Sequence, residues 1–75
     1  MESKKINYCD DGKTIKSICE YDLQTGNKIE LTYYRSDGKR LQAIYNFDSQ
    51  TGKLIKLTRY CKDGKTISKI KNYEL

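Results

Sequence analysis

Histidine is absent from the 75 residues, which removes the imidazole base, the Ser-His and Cys-His nucleophile pairs and most transition-metal sites together. Carboxylates, three thiols and a set of Lys, Arg and Tyr remain. Asp10, Asp11, Asp37 and Asp63 recur at one kind of glycine-bearing segment, and Asp22 and Asp48 at another. Paired carboxylates can do acid–base work, but Asp also favours turns because it bonds its own backbone. Catalysis needs convergent groups in a cleft, and this spacing builds none. No enzymatic activity is expected, and no catalytic, cofactor-binding or metal-binding residue is assigned.

Cys9, Cys19 and Cys61 do not have the Cys-x-x-Cys spacing of a zinc site. Cys9 and Cys61 occupy equivalent positions four strands apart, roughly 19 Å at the usual strand spacing and beyond disulfide reach, so reduced thiols are expected. Gly12-Lys13-Thr14 and Gly64-Lys65-Thr66 look like fragments of a phosphate loop, but the upstream glycine and the following helix are missing. Lys16, Arg35, Arg40 and Arg59 with Tyr33 and Tyr45 are the residues that could hold single-stranded nucleic acid. The register derived below sets Tyr33 and Tyr45 on opposite faces, which argues against such a platform.

The elements that must position these groups follow from the glycines. Gly12, Gly26, Gly38, Gly52 and Gly64 are separated by alternating steps of 14 and 12 residues, which makes a 26-residue unit of two turns and two strands. Units run approximately over 8–33, 34–59 and, incompletely, 60–75, within one domain of residues 1–75. Asp11-Gly12, Asp37-Gly38 and Asp63-Gly64 suit two-residue type I′ hairpin loops, which pair Arg35 with Arg40, Tyr34 with Leu41 and Leu31 with Ile44. Four-residue loops at Leu23–Gly26 and Ser49–Gly52 pair Ile18 with Leu31 and Ile44 with Leu57. Together they predict one row of Ile18, Leu31, Ile44, Leu57 and Ile70 on one face.

The same register predicts two rows on the opposite face. One holds Tyr8, Ile15, Tyr34, Leu41, Tyr60 and Ile67, the other Tyr21, Lys28, Phe47, Leu54 and Tyr73, with a trench of Ser17, Thr32, Ala43, Thr58 and Lys69 between them. Turns every 12 to 14 residues leave no room for an amphipathic helix of ordinary length. Six strands are expected near 4–9, 14–21, 28–35, 40–47, 54–61 and 66–73. With 36% apolar and 33% charged residues, no Trp and one Phe, the chain lacks the bulk for two packed layers. The fold class is all-β: a single-layer antiparallel meander of about six strands. Nothing resembles a membrane span or a signal peptide, and no membrane insertion is expected.

Tyr8-Cys9-Asp10-Asp11-Gly12-Lys13-Thr14-Ile15 followed by Glu20-Tyr21-Asp22-Leu23-Gln24-Thr25-Gly26 resembles the domain of unknown function 2963 family, a repeat domain of phytoplasma proteins. The likeness spans almost the whole chain, with Arg40-Leu41 in place of Thr-Ile and Phe47 in place of tyrosine in the second unit. It implies a bacterium whose small proteins are often exported into host cells, and it implies no activity.

A single layer leaves both faces open, so something must cover at least one. The expected function is a protein-interaction repeat module, an exported effector or surface factor that binds a host protein through Tyr8, Tyr21, Tyr34, Phe47 and Tyr60, because large aromatics carry interface energy disproportionately. Homo-oligomerisation is expected as well. The alternatives are a self-associating scaffold or spacer, and weak nucleic-acid binding favoured by the net charge of +5 but disfavoured by interspersed acids. No cofactor is implied.

Overall fold

Stretches rich in β-branched and aromatic residues, each bounded by a glycine turn, form the strands. In the structure, a computed structural model that describes residues 3–73, these are β1 (Lys4–Tyr8), β2 (Ile15–Tyr21), β3 (Lys28–Tyr34), β4 (Leu41–Phe47), β5 (Leu54–Tyr60) and β6 (Ile67–Asn72). They form one antiparallel sheet in sequence order. The six expected strands are all present, each end within one residue of its expected place.

The Asp-Gly turns differ from expectation. A type I′ loop needs positive φ at both central residues, and among the described residues positive φ occurs at the glycines alone, for example +70° at Gly38 and +73° at Gly64. The amide of Gly38 donates to the Arg35 carbonyl at 2.9 Å, and the Arg35 amide to the Arg40 carbonyl at 2.8 Å. The loop between that closing pair therefore has four residues. Asp37 serves it as a cap: its Oδ1 accepts from the amides of Lys39 and Arg40 at 2.9 and 3.0 Å. Asp63 does the same for Lys65 and Thr66, and Asp11 for Lys13 and Thr14.

Close to each turn the expected pairs form, including Tyr34 with Leu41, Tyr8 with Ile15 and Tyr60 with Ile67. One step further in, the register slips, and Tyr33 pairs with Ala43 instead of Gln42. The same β-bulge recurs in all five pairings, with the extra residue at Lys16, Ile29, Gln42, Ile55 and Ser68. These positions are thirteen residues apart, so every strand after β1 carries one at its second position.

A slip of one residue moves side chains to the opposite face, and this overturns the expected row of Ile18, Leu31, Ile44, Leu57 and Ile70. The central rows are instead Ile6-Ile18-Thr32-Ile44-Thr58-Ile70 and Lys5-Cys19-Leu31-Tyr45-Leu57-Lys71. Adjacent positions alternate between faces, so Ile18, Ile44 and Ile70 lie on one face and Leu31 and Leu57 on the other. The five tyrosine and phenylalanine positions are divided too. Tyr8, Tyr34 and Tyr60 alternate in step with Ile6, Thr32 and Thr58, whereas Tyr21 and Phe47 follow Cys19 and Tyr45. The expected trench is likewise split, with Thr32 and Thr58 leaving Ser17, Ala43 and Lys69 on the other side.

The slab measures 33 × 31 × 15 Å. Its accessible surface of 5509 Å² exceeds the about 4,800 Å² of a compact protein of this mass, because no second layer covers the sheet. Apart from Gly64, the buried described residues are Cys19, Ala43, Ser17 and Thr58. Turn-to-turn contacts supplement this thin core at both ends of the strands. Arg40 Nη1 donates to the Lys62 carbonyl at 2.9 Å, and at the opposite end Thr25 Oγ1 and Asn27 Nδ2 donate to the Ser49 carbonyl at 2.7 and 3.1 Å. Each turn thus leans on the turn one 26-residue unit away.

Candidate interaction face

The bulges sort charge as well as shape. One face carries the two rows Asn7-Ser17-Tyr33-Ala43-Arg59-Lys69 and Lys5-Cys19-Leu31-Tyr45-Leu57-Lys71, with four Lys or Arg and no carboxylate. The other carries the isoleucine row and Lys4-Glu20-Glu30-Asn46-Lys56-Asn72, with two Lys and two Glu. The first is called the basic face and the second the isoleucine face.

On the basic face the side chains alternate in size across the strands. Ala43, buried in the sheet, lies between its lateral neighbours Tyr33 and Arg59, and the small residue between two long ones leaves a dip. Tyr33 and Tyr45 meet across it edge to face, with ring centroids 5.7 Å apart and planes at 77°. They are diagonal neighbours, since Tyr45 stands two residues beyond Ala43, the partner of Tyr33. Arg35 closes one side, its Nη2 donating to the Tyr60 carbonyl at 3.0 Å. Its Nε is shielded and without a partner. The resulting concavity holds about 440 Å³ and is lined by Tyr33, Arg35, Ala43, Tyr45 and Arg59 among others, together with Tyr60, whose backbone carbonyl holds Arg35.

The structure therefore corrects the separation of Tyr33 from Tyr45. Of the residues considered for nucleic acid, Tyr33, Tyr45, Arg35 and Arg59 share one concavity. Arg40 turns away to Asp37, with Nε 2.6 Å from Oδ2, and Lys16 is an exposed bulge residue. Tyr21 lies against Cys19, and that contact with the thiol raises its phenol pKa. Further along the face the Lys71 ammonium sits 5.1 Å from the centre of the Tyr73 ring. Tyr21 and Phe47 thus extend the basic face, while Tyr8, Tyr34 and Tyr60 belong to the isoleucine face.

The turn carboxylates are committed to the fold. Backbone amides of Arg40 and Lys39 and the Arg40 guanidinium hold Asp37 well below the usual carboxylate range. The Thr66 hydroxyl and the amides of Lys65 and Thr66 lower Asp63 to about 2, and the Thr14 hydroxyl leads the same effect at Asp11. Among the described residues no three metal-ligating side chains cluster. Cys9, Cys19 and Cys61 are free thiols. No helix among the described residues is long and apolar enough to cross a membrane.

Residues 2–33 and 34–75 both match the profile of the family described as protein of unknown function (DUF2963). The chain belongs to this family. No curated protein and no solved structure matches the chain. In this DUF2963 chain the aromatic concavity, with Arg35 held against the Tyr60 carbonyl at its side, lies beside Cys19, Leu31 and Leu57 of the neighbouring row.

Proposed function

We propose that this DUF2963 chain is a protein-interaction repeat module, without chemistry of its own, that takes an acidic segment of a protein partner on its basic face. The observation that carries this is the set of Lys5, Arg59, Lys69 and Lys71 in the paired rows of that face, with no carboxylate among their described residues, around the Tyr33–Tyr45 pair. One-signed charge steers an opposite partner into place, and the aromatics supply the desolvated contact that holds it. Tyr21 and Phe47 extend the surface. That the partner is a host protein and the module an exported factor is the finer part of the proposal, and the family resemblance supports it.

Single-stranded nucleic acid is the second reading, favoured by the meeting of Arg35 and Arg59 with two tyrosines. Two features favour protein over it. The row through the middle of the face is apolar at Cys19, Leu31 and Leu57, where phosphates would find no donor. The tyrosines meet edge to face instead of forming parallel platforms for bases. Fluorescence anisotropy with a labelled peptide alternating Glu with Leu or Phe, its Gln-substituted analogue and an oligouridylate, each at two salt concentrations, separates the readings. The acidic peptide is expected to bind and its analogue to bind at least about tenfold more weakly, a difference worth about 1.4 kcal/mol. Tighter binding of the oligonucleotide with a steep salt slope would establish the second reading, and no binding of either would refute both.

A further inference from the structure

We infer that the isoleucine face is covered by a second copy of the chain, related by a twofold axis that runs parallel to the strands between β3 and β4. The inference is independent of the reading of the basic face. The slab presents 33 × 31 Å, about 1,000 Å², and a stable interface needs about 800 Å² from each partner. Ile6 and Ile70 are 39% and 48% exposed, and Tyr8 is 50% exposed, so the uncovered sheet leaves apolar bulk in water at both of its edges.

The pattern of the face selects the axis. A twofold parallel to the strands lays β1 over β6, β2 over β5 and β3 over β4, each row over its own copy. The row Ile6-Ile18-Thr32-Ile44-Thr58-Ile70 then sets Ile18 over Thr58 and Thr32 over Ile44, a large side chain above a smaller one at every inner position. Ile6 and Ile70 meet at the rims. The row Lys4-Glu20-Glu30-Asn46-Lys56-Asn72 sets Glu20 over Lys56, Glu30 over Asn46 and Lys4 over Asn72, so opposite charges meet and like charges do not. Tyr8, Tyr34 and Tyr60 stand on β1, β3 and β5. The same operation places each over an even-numbered strand, where that end carries no tyrosine, so the rings of the two copies interleave.

An axis across the strands through the middle of the sheet, between the two rows, would lay the isoleucine row on the charged row, burying Glu and Lys against hydrocarbon, which is costly. The basic face suits this operation less well: the strand-parallel twofold would set Lys5 over Lys71, and the paired rows of that face hold no carboxylate among the described residues. The dimer is therefore an aligned two-sheet sandwich. Its outer surfaces are both basic faces, and a partner with two acidic segments would gain from binding them together.

The test is sedimentation equilibrium of the 75-residue chain across a micromolar dilution series, with circular dichroism as a check on folding. A mass twice the 8.8 kDa of one chain is expected. A monomer throughout the series overturns the inference. Glu20→Lys and Lys56→Glu, on strands too far apart to touch within one chain, are each expected to weaken the dimer about tenfold. The double variant, which restores opposite charges across the axis, is expected to recover it. Failure of the double variant to recover overturns the proposed axis. Lys69→Glu on the basic face is expected to leave the mass unchanged, and loss of the dimer there would show that the copies meet through the wrong face.

Discussion

The basic face and the isoleucine face are built from the same six strands, yet they differ in charge, relief and order. Across one lie cations, tyrosines and a dip over Ala43. Across the other runs an Ile/Thr row with balanced charge. The strands do not differ enough in composition to account for this. The bulge at every thirteenth residue does, because it decides which half of each strand shares a face with which half of its neighbour. The contrast teaches that in a one-layer protein the turn chemistry, by setting register, sets surface chemistry too.

The largest way to break the contrast is to break a turn that imposes it. Gly64 has φ of +73°, and a Cβ there would meet Arg40 Cβ at 2.6 Å and its backbone Cα at 2.8 Å, whereas Gly12, at +70°, would meet nothing within 4 Å. Gly64→Ala is expected to cost about 3 kcal/mol or more and Gly12→Ala about 1, read from urea midpoints. Equal costs would mean that the turns do not lean on one another.

A substitution that reverses one face while sparing the other comes next. Arg59→Glu places a carboxylate on the rim of the concavity, and it is expected to reduce acidic-peptide affinity at least about tenfold with no change in sedimented mass. A comparable loss from Tyr34→Ser, on the isoleucine face, would assign the peptide to the wrong side.

The turn carboxylates give a pH signature that belongs to neither face. The folded pKa values of Asp11, Asp37 and Asp63 are depressed, so the stability they contribute is present above the ordinary value of 3.8 and is lost as pH falls, toward about 2 for Asp63. Thermal unfolding followed through that window should show a falling midpoint, with a shallower fall in Asp63→Asn. A midpoint that rises on acidification would contradict the sign.

The smallest expected effect is the most specific. A double-mutant cycle of Tyr33→Leu with Tyr45→Leu should give a coupling of about 0.5 kcal/mol, the lower end for an aromatic pair at a partly exposed site. Tyr34→Leu with Tyr45→Leu should give none, since those rings lie on opposite faces.

Much of this fold is legible in the residues. Glycine spacing and strand propensity locate the turns and all six strands, and the pairs next to each turn, such as Tyr34 with Leu41, follow from loop length. The faces are not legible. An Asp-Gly turn is compatible with a two-residue type I′ loop or with a four-residue loop closed by a single αL glycine, and Asp37 uses its carboxylate to cap two amides in the second. The bulge at Gln42 leaves no mark in hydrophobic pattern, since Ile18, Leu31 and Ile44 keep their even spacing whether or not they share a face. The meeting of Tyr33 with Tyr45 is therefore hidden in the sequence, and Tyr8 and Tyr21 read as residues of one face.

Methyl-resolved nuclear magnetic resonance of the chain titrated with the acidic peptide reads both faces at once. The division of the sheet requires Ala43, Leu31 and Leu57 methyl signals to shift with peptide while those of Ile18, Ile44 and Ile70 hold still. Shifts centred on the isoleucines, with Ala43 and the two leucines unmoved, would contradict it.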